Sequence, residues 1–161
     1  MCQATSRTAF GCSSIALCSV EAQTPPNIMT RLFATVAVLA HLIISLLHGR
    51  THTELGVGLN SWQQTYVIVV ILVAPLVALA LVWSRHSRLG LLLLVASMAG
   101  SLVFGAYFHY VAISPDHVSH LPPGDAQGMF RVTAMLLAVT EILGLVVGLL
   151  GLRRFQVSPQ V

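Results

Sequence analysis

The chain has 161 residues, of which 56% are hydrophobic and only 8% are charged, and its formal net charge is +3. Soluble domains carry about 25% charged residues, so this composition excludes a protein whose whole surface faces water. The arginines are scattered along the chain rather than clustered, which excludes a nucleic-acid-binding surface. We therefore predict an all-α integral membrane protein, with the lipid bilayer as its first partner.

The two ends of the chain differ in composition from its middle. Residues 1–28 are rich in Ser, Thr, Ala and Cys, which predicts a disordered N-terminal extension. Met29 is soon followed by an arginine and an apolar run, so we take it as a candidate for the true start of the protein. Residues 29–155 form the predicted four-helix transmembrane domain, and residues 156–161 a disordered tail. The cysteines show no CxxC spacing and all lie in the extension, at Cys2, Cys12 and Cys18.

The first apolar segment, Leu32–His48, carries polar side chains along one side. Ionisable groups are costly within a bilayer and usually face protein or water. The stripe therefore predicts a polar seam that the other helices cover, and the glycines from Gly49 onwards are expected to break the helix. At about 100° per residue, one helical face holds the members of this stripe, which are His41, Ser45, His48 and His52.

The second segment runs from Trp62 to Trp83, two aromatic residues about 31 Å apart along a helix, which matches the hydrocarbon thickness of a bilayer. Asn60 and Ser61 can cap it, and Ser61 with Gln64 has the spacing of a capping box. Pro75 lies inside the segment. It removes one backbone hydrogen bond, so we expect a bend near Ile71 and a carbonyl that a neighbouring helix must satisfy.

The third and fourth segments carry small residues at four-residue intervals, a pattern that lets membrane helices approach closely. In the third, the small residues lead to His109. In the fourth, Glu141 lies near the middle, one turn before Gly144. Because the connections are short, we predict an antiparallel bundle of four transmembrane helices, near residues 31–50, 62–84, 88–113 and 127–153.

The arginines set the expected orientation. By the positive-inside rule, the segment ends that carry most of them lie on the cytoplasmic side. We therefore expect a multi-pass protein of the cytoplasmic (inner) membrane with both termini in the cytoplasm and most histidines near the external face. The residues behind this inference are Arg31, Arg85, Arg88, Arg153 and Arg154.

The external ends of the helices bring together several candidate metal ligands. Imidazole is the commonest transition-metal ligand, and carboxylates supplement it. The sequence indicates a site for Cu, Zn or Fe ions, or for haem. The alternatives are histidines that only bind water and backbone groups, and a pH-responsive gate. The candidate ligands are His48, His52, His109, Asp116, His117 and His120.

His41 and Glu141 form a second predicted pair. Counted from the external ends of their helices, their depths differ by about 4 to 5 Å. Each is costly alone in lipid, so we expect the two side chains to meet. The pair is interpreted either as part of a proton or ion relay or as a buried contact that fixes the packing of the helices.

Three functions remain open at this point. The first is a small membrane protein that binds a metal or haem as a redox or assembly subunit. The second is a non-catalytic structural subunit of a larger membrane complex, and the third is a proton-coupled transporter or gate that uses Glu141 and His41. An enzyme is the less favoured interpretation, because the sequence shows no nucleophile elbow, phosphate loop or pair of carboxylates.

Overall fold

The structure is a computed structural model that describes residues 26–156. The predictions for residues 1–25, with the three cysteines, and for residues 157–161 lie outside the described residues. At the start of the described chain, the side-chain oxygen of Asn27 accepts hydrogen bonds from the backbone N–H of Thr30 at 2.9 Å and from its hydroxyl at 2.7 Å. This cap starts the first helix at Ile28, one residue before Met29. The first described helix thus begins one residue before the predicted boundary between the extension and the transmembrane domain.

The described residues form four long helices and contain no strand. Each helix is long and apolar enough to cross a membrane, so the prediction of an all-helical chain with four such segments is confirmed. Helix α1 continues through Gly49, because one glycine inside a helix costs only about 1 kcal/mol. It ends before Gly56, whose φ of 65° is the left-handed conformation that glycine adopts easily. The helices are α1 (Ile28–Glu54), α2 (Ser61–Val82), α3 (Ser87–Val111) and α4 (Gln127–Gln156).

Helix α2 begins with a capping box one residue earlier than the sequence pattern indicates. The side chain of Asn60 accepts a hydrogen bond from the backbone N–H of Gln63 at 3.0 Å, and the side chain of Gln63 accepts one from the backbone N–H of Asn60 at 2.9 Å. Asparagine is as good an N-cap as serine. The pair Asn60 and Gln63 therefore takes the place predicted for Ser61 and Gln64.

Two stretches of the helices are π-helical, Val67–Val73 in α2 and Tyr107–Val111 in α3. The first lies directly before Pro75. Proline has no N–H, so it cannot bind the carbonyl of Ile71, which in an α-helix would be its partner. The imidazole of His41 on α1 donates a hydrogen bond to this carbonyl instead, at 3.1 Å from Nε2 to the oxygen. The carbonyl that proline leaves free is thus satisfied by a neighbouring helix.

The helices pack tightly at the end that lies away from His48, His52 and His109. A Cβ atom added to Gly90 on α3 would lie 2.5 Å from the backbone nitrogen of Val82 on α2. On α4, a Cβ atom at Gly144 would lie 2.9 Å from the side chain of Met98. These contacts surround a buried apolar cluster, which comprises Ala34, Val38, Ala78, Val82, Leu91, Leu94 and Met98.

The outer faces of the helices are apolar. Large hydrophobic side chains such as Val36, Ile43 and Leu46 on α1 and Leu143 on α4 are about half exposed. A water-soluble domain rarely shows so much contiguous apolar surface. Polar groups are instead gathered inside the molecule, toward the end where α1 and α3 carry their histidines.

Candidate metal centre

Three helices and one loop bring the polar side chains of the site together. His48 and His52 lie one turn apart on α1, and His109 lies in the π-helical turn of α3. Asp116 comes from the loop after α3. This loop folds back onto the helix because the backbone N–H of Val118 donates a hydrogen bond to the carbonyl of His109 at 3.0 Å.

The three histidines offer ring nitrogens that all lie within 4.8 Å of one another. Nε2 of His48 is 3.2 Å from Nε2 of His52, and Oδ1 of Asp116 is 3.3 Å from the latter nitrogen. For metal–ligand bonds of 2.0–2.1 Å, two ligands of a tetrahedral ion are about 3.3 Å apart. The separations of 3.2 and 3.3 Å are therefore those of neighbouring ligands around one ion, and the ring nitrogen of His109 lies within 4.8 Å of the other two.

In each of the three imidazoles, the Nδ1 atom lies near an oxygen that can accept a hydrogen bond. Nδ1 of His48 lies 2.9 Å from the hydroxyl oxygen of Thr133, Nδ1 of His52 lies 3.3 Å from the carbonyl oxygen of Val57, and Nδ1 of His109 lies 3.1 Å from the carbonyl oxygen of Asp116. Carbonyl oxygens only accept. The Thr133 hydroxyl has carbonyl acceptors at 2.8 and 3.0 Å for its own proton, so it accepts from His48.

These hydrogen bonds fix which nitrogen carries the proton. With Nδ1 as the donor, the neutral imidazole presents a lone pair at Nε2. The Nε2 atoms of His48 and His52 then face each other with lone pairs at 3.2 Å, an arrangement that a cation between them stabilises. Metal-bound histidines in proteins typically show this second hydrogen bond to a carbonyl or hydroxyl oxygen.

The site is shielded on one side and adjoins a cavity on another. Phe130 of α4 is fully buried, and its ring centroid lies 4.6, 5.0 and 5.4 Å from those of His48, His52 and His109. The cavity has a volume of about 370 Å³ and is lined by the three histidines, Asp116 and, further inside, Glu141. A bound ion would thus be protected by an aromatic ring and still be reachable by a small ligand.

Asp116 supplies the negative charge of the site. Burial by itself raises the pKa of its carboxyl group, but the contact with His109 and, in their protonated forms, the charges of His109, His52 and His48 outweigh burial. The pKa of Asp116 therefore lies below its ordinary value. Its buried Oδ1 atom lies 3.3 Å from Nε2 of His52 and 3.4 Å from Nδ1 of His109, so this oxygen faces the same space as the imidazole nitrogens.

His117 and His120 lie apart from this group. His117 is half-buried and His120 is exposed, and their Nδ1 atoms face each other at 3.1 Å within the loop. Of the six candidate ligands, the structure gathers four, His48, His52, His109 and Asp116. The hydroxyl of Ser119 lies between the remaining two imidazoles, 2.7 Å from Nδ1 of His117 and 3.3 Å from Nδ1 of His120.

His41 and Glu141 lie at the inner end of the same region. Nδ1 of His41 is 4.0 Å from Oε1 of Glu141, and both side chains are buried. Because Nε2 of His41 donates to the carbonyl of Ile71, Nδ1 carries the lone pair in the neutral ring. Within the described residues, no partner binds this Nδ1 atom.

Several supporting residues were not among the predicted site residues. Phe130 looks like any apolar residue of a helix, and Val57 contributes only its backbone carbonyl. Thr133 did carry a signal, because a hydroxyl in an apolar segment has to find a partner. It lies eight residues before Glu141 and so on a similar face of α4.

No protein-family model, no curated protein and no solved structure matches this chain.

Proposed function

We propose that this chain is a multi-pass protein of the cytoplasmic membrane, folded as an antiparallel bundle of four transmembrane helices, that binds one transition-metal ion. His48, His52 and His109 bind the ion through Nε2, and Asp116 takes the fourth position or holds a ligand there. One observation carries this proposal: the Nε2 atoms of His48 and His52 lie 3.2 Å apart while the Nδ1 atom of each ring lies within hydrogen-bond distance of an oxygen acceptor.

Zinc is the ion that this arrangement favours among Cu, Zn and Fe. Tetrahedral sites with three imidazoles and one exchangeable position are typical of catalytic zinc, whereas structural zinc sites are closed by four protein ligands. The cavity beside the histidines fits the first kind of site. We therefore infer a centre that meets an exchangeable ligand, as in an assembly subunit, rather than an ion that only holds the fold together. Because Zn²⁺ has no redox chemistry, a redox subunit would need Cu or Fe at this position.

The packing of the rings favours an ion over haem. A haem iron with two axial histidines separates them by the plane of the macrocycle. Here the ring centroid of His48 lies 4.8 Å from that of His52 and 4.9 Å from that of His109. Rings in direct contact leave no space between them for a porphyrin.

The transporter interpretation needs a polar path to both ends of the helices. Beyond Glu141, however, the described helices are packed around the buried apolar cluster, with Met98 against Gly144. The cavity is accordingly a pocket with one end closed. This favours a binding site over a channel through the molecule.

The experiment is a metal analysis of the full chain, purified in detergent without chelators, by inductively coupled plasma mass spectrometry. We expect about one zinc ion per chain, and a loss of at least tenfold in bound metal for His48→Gln, His52→Gln and His109→Gln. Cobalt substituted for zinc should give the intense visible absorption of a tetrahedral site.

His120→Gln is the matched control, because this histidine lies outside the cluster. It should bind as much metal as the unchanged protein. If the purified protein takes up no metal, or if His120→Gln loses as much bound metal as His48→Gln, the proposal is wrong. Such a result would support the interpretation as a structural subunit.

A further inference from the structure

The cavity beside the histidines has a second polar end. The residues of this inner end come from three helices, and each lies a similar distance from the histidine end. His41 is seven residues before His48 on α1. Ser101 is eight residues before His109 on α3, and Glu141 is eight residues after Thr133 on α4. At 1.5 Å per residue, each spacing corresponds to about 10–12 Å along its helix. The cavity therefore extends from the metal centre to a separate inner group formed by these residues.

The inner group is buried and lacks partners. His41, Ser101 and Glu141 are 1%, 0% and 4% exposed. Within residues 26–156, neither Nδ1 of His41 nor Oγ of Ser101 has a hydrogen-bond partner. Ser101 and Glu141 line the cavity, while His41 stands 4.0 Å from the carboxylate.

All these atoms can accept hydrogen bonds. Nδ1 of His41 presents a lone pair because Nε2 donates to Ile71, and a carboxylate is an acceptor only. The Glu141 carboxyl group, when ionised, is costly within a membrane protein unless it meets an opposite charge, and the neutral ring of His41 at 4.0 Å supplies none. In that state the inner group calls for a ligand that donates several hydrogen bonds and carries a positive charge.

The walls between the two ends are largely apolar. They are formed by Val67, Ile71, Phe104, Leu137 and Ala138, and the hydroxyl of Ser45 on α1 also lines the cavity. The cavity volume of about 370 Å³ is that of a small-molecule pocket, and roughly ten times the space of one water molecule. Water is poorly suited to such walls, whereas a short hydrocarbon chain is well suited.

We propose that the inner end of this cavity binds the ammonium group of a small aliphatic amine, whose hydrocarbon chain lies along the apolar walls toward the metal centre. The ammonium group donates to the carboxylate of Glu141 and to the hydroxyl of Ser101. Its three N–H donors and its charge match this set, whereas an alcohol offers one donor and no charge. The site does not require the metal to be bound.

The experiment compares amines with alcohols of equal chain length. Butyl-, hexyl- and octylammonium chloride and the corresponding alcohols are titrated by calorimetry into the full chain in lipid nanodiscs. We expect each amine to bind at least tenfold more tightly than its alcohol. Glu141→Gln should remove this preference, and the alcohol of equal length corrects for partition into the lipid.

Two further variants keep the result interpretable. Glu54→Gln alters an exposed carboxylate that pairs with Arg50, and it should bind the amines like the unchanged protein. Ala138→Leu narrows the cavity, so the preferred chain should become shorter. Thermal unfolding of every variant reports whether it is folded, and its metal content is measured separately.

The outcomes distinguish this proposal from the metal centre. If amines bind no better than alcohols, or if folded Glu141→Gln keeps the preference, the amine site does not exist, whatever the metal content. If the chain binds no metal but shows the amine preference and loses it in Glu141→Gln, the amine site stands and the metal centre does not.

Discussion

In the proposed metal centre, Thr133 would act through His48. Its hydroxyl lies 2.9 Å from Nδ1 of His48, and by accepting the Nδ1–H bond it would hold the lone pair of Nε2 toward the ion. Replacing Thr133 with valine keeps the shape of the side chain but removes the acceptor. Loss of such an outer partner typically costs about 10–100-fold in metal affinity.

We therefore expect Thr133→Val to weaken zinc binding by about that factor, measured by competition with a chromophoric chelator. Thr133→Ser keeps the hydroxyl and should bind zinc nearly as tightly as the unchanged protein. Equal affinities for the valine variant and the unchanged protein would show that His48 is not oriented by this bond.

At the scale of single residues, the sequence shows which side chains are ligand types but not where the loop carries them. His48 and His52 share a helical face by spacing alone. Asp116, His117 and His120 are adjacent in the sequence, and only the path of the loop, fixed by the bond from Val118 to His109, separates Asp116 from the other two. No periodicity contains that information.

Among the helices, the small residues of α3 have two different roles. Gly90 lies against the backbone of Val82, where a Cβ atom would be 2.5 Å from the nitrogen. Gly105 has only the edge of His109 near it, at 3.8 Å, an ordinary contact. The same residue type thus allows close helix packing at one position and is replaceable at the other.

Gly90→Ala should accordingly destabilise the protein, because backbone atoms on both sides resist movement. Overpacking of this kind costs about 1–3 kcal/mol. Gly105→Ala should change stability by less than about 1 kcal/mol, since alanine is the better helix former. Chemical unfolding in mixed detergent micelles, followed by circular dichroism, compares the two. The expectation fails if Gly90→Ala is as stable as Gly105→Ala.

The four helices could be predicted from the sequence more completely than the candidate metal centre. Apolar runs of membrane-spanning length predicted all four helices, and Pro75 predicted a carbonyl that needs a partner on another helix. The π-helical turn at Tyr107–Val111 has no such marker, because its residues apart from His109 are aromatic or apolar like those around them. The backbone conformation at the end of α3, which positions His109, therefore could not be predicted from the sequence pattern.

At the scale of the whole molecule, the arginines predict the orientation in the membrane. His86 lies in the short turn between α2 and α3, and His120 in the loop between α3 and α4, and both side chains are exposed. The positive-inside rule assigns the turn with His86, which lies between Arg85 and Arg88, to the cytoplasm. It assigns the loop with His120 to the outside.

We expect a membrane-impermeant maleimide added to intact cells to label His120→Cys and not His86→Cys, in a chain whose own cysteines are replaced by serine. Permeabilised cells should allow labelling of both variants, which serves as the control for reactivity. Labelling of His86→Cys in intact cells, without labelling of His120→Cys, would reverse the proposed orientation.

The wide turn that carries His109 gives the site an unusual dependence on chain length. The backbone N–H of Ala112 reaches the carbonyl of Tyr107, five residues back, at 2.7 Å, so this turn holds one residue more than an α-helical turn. Removing a single residue there would restore an α-helical turn and change the direction of His109 relative to the chain that follows it, while the later residues keep nearly the same angular position. A one-codon deletion or insertion, rather than any substitution, is thus the genetic event that could dismantle or create the position of Asp116 beside the histidines in a single step.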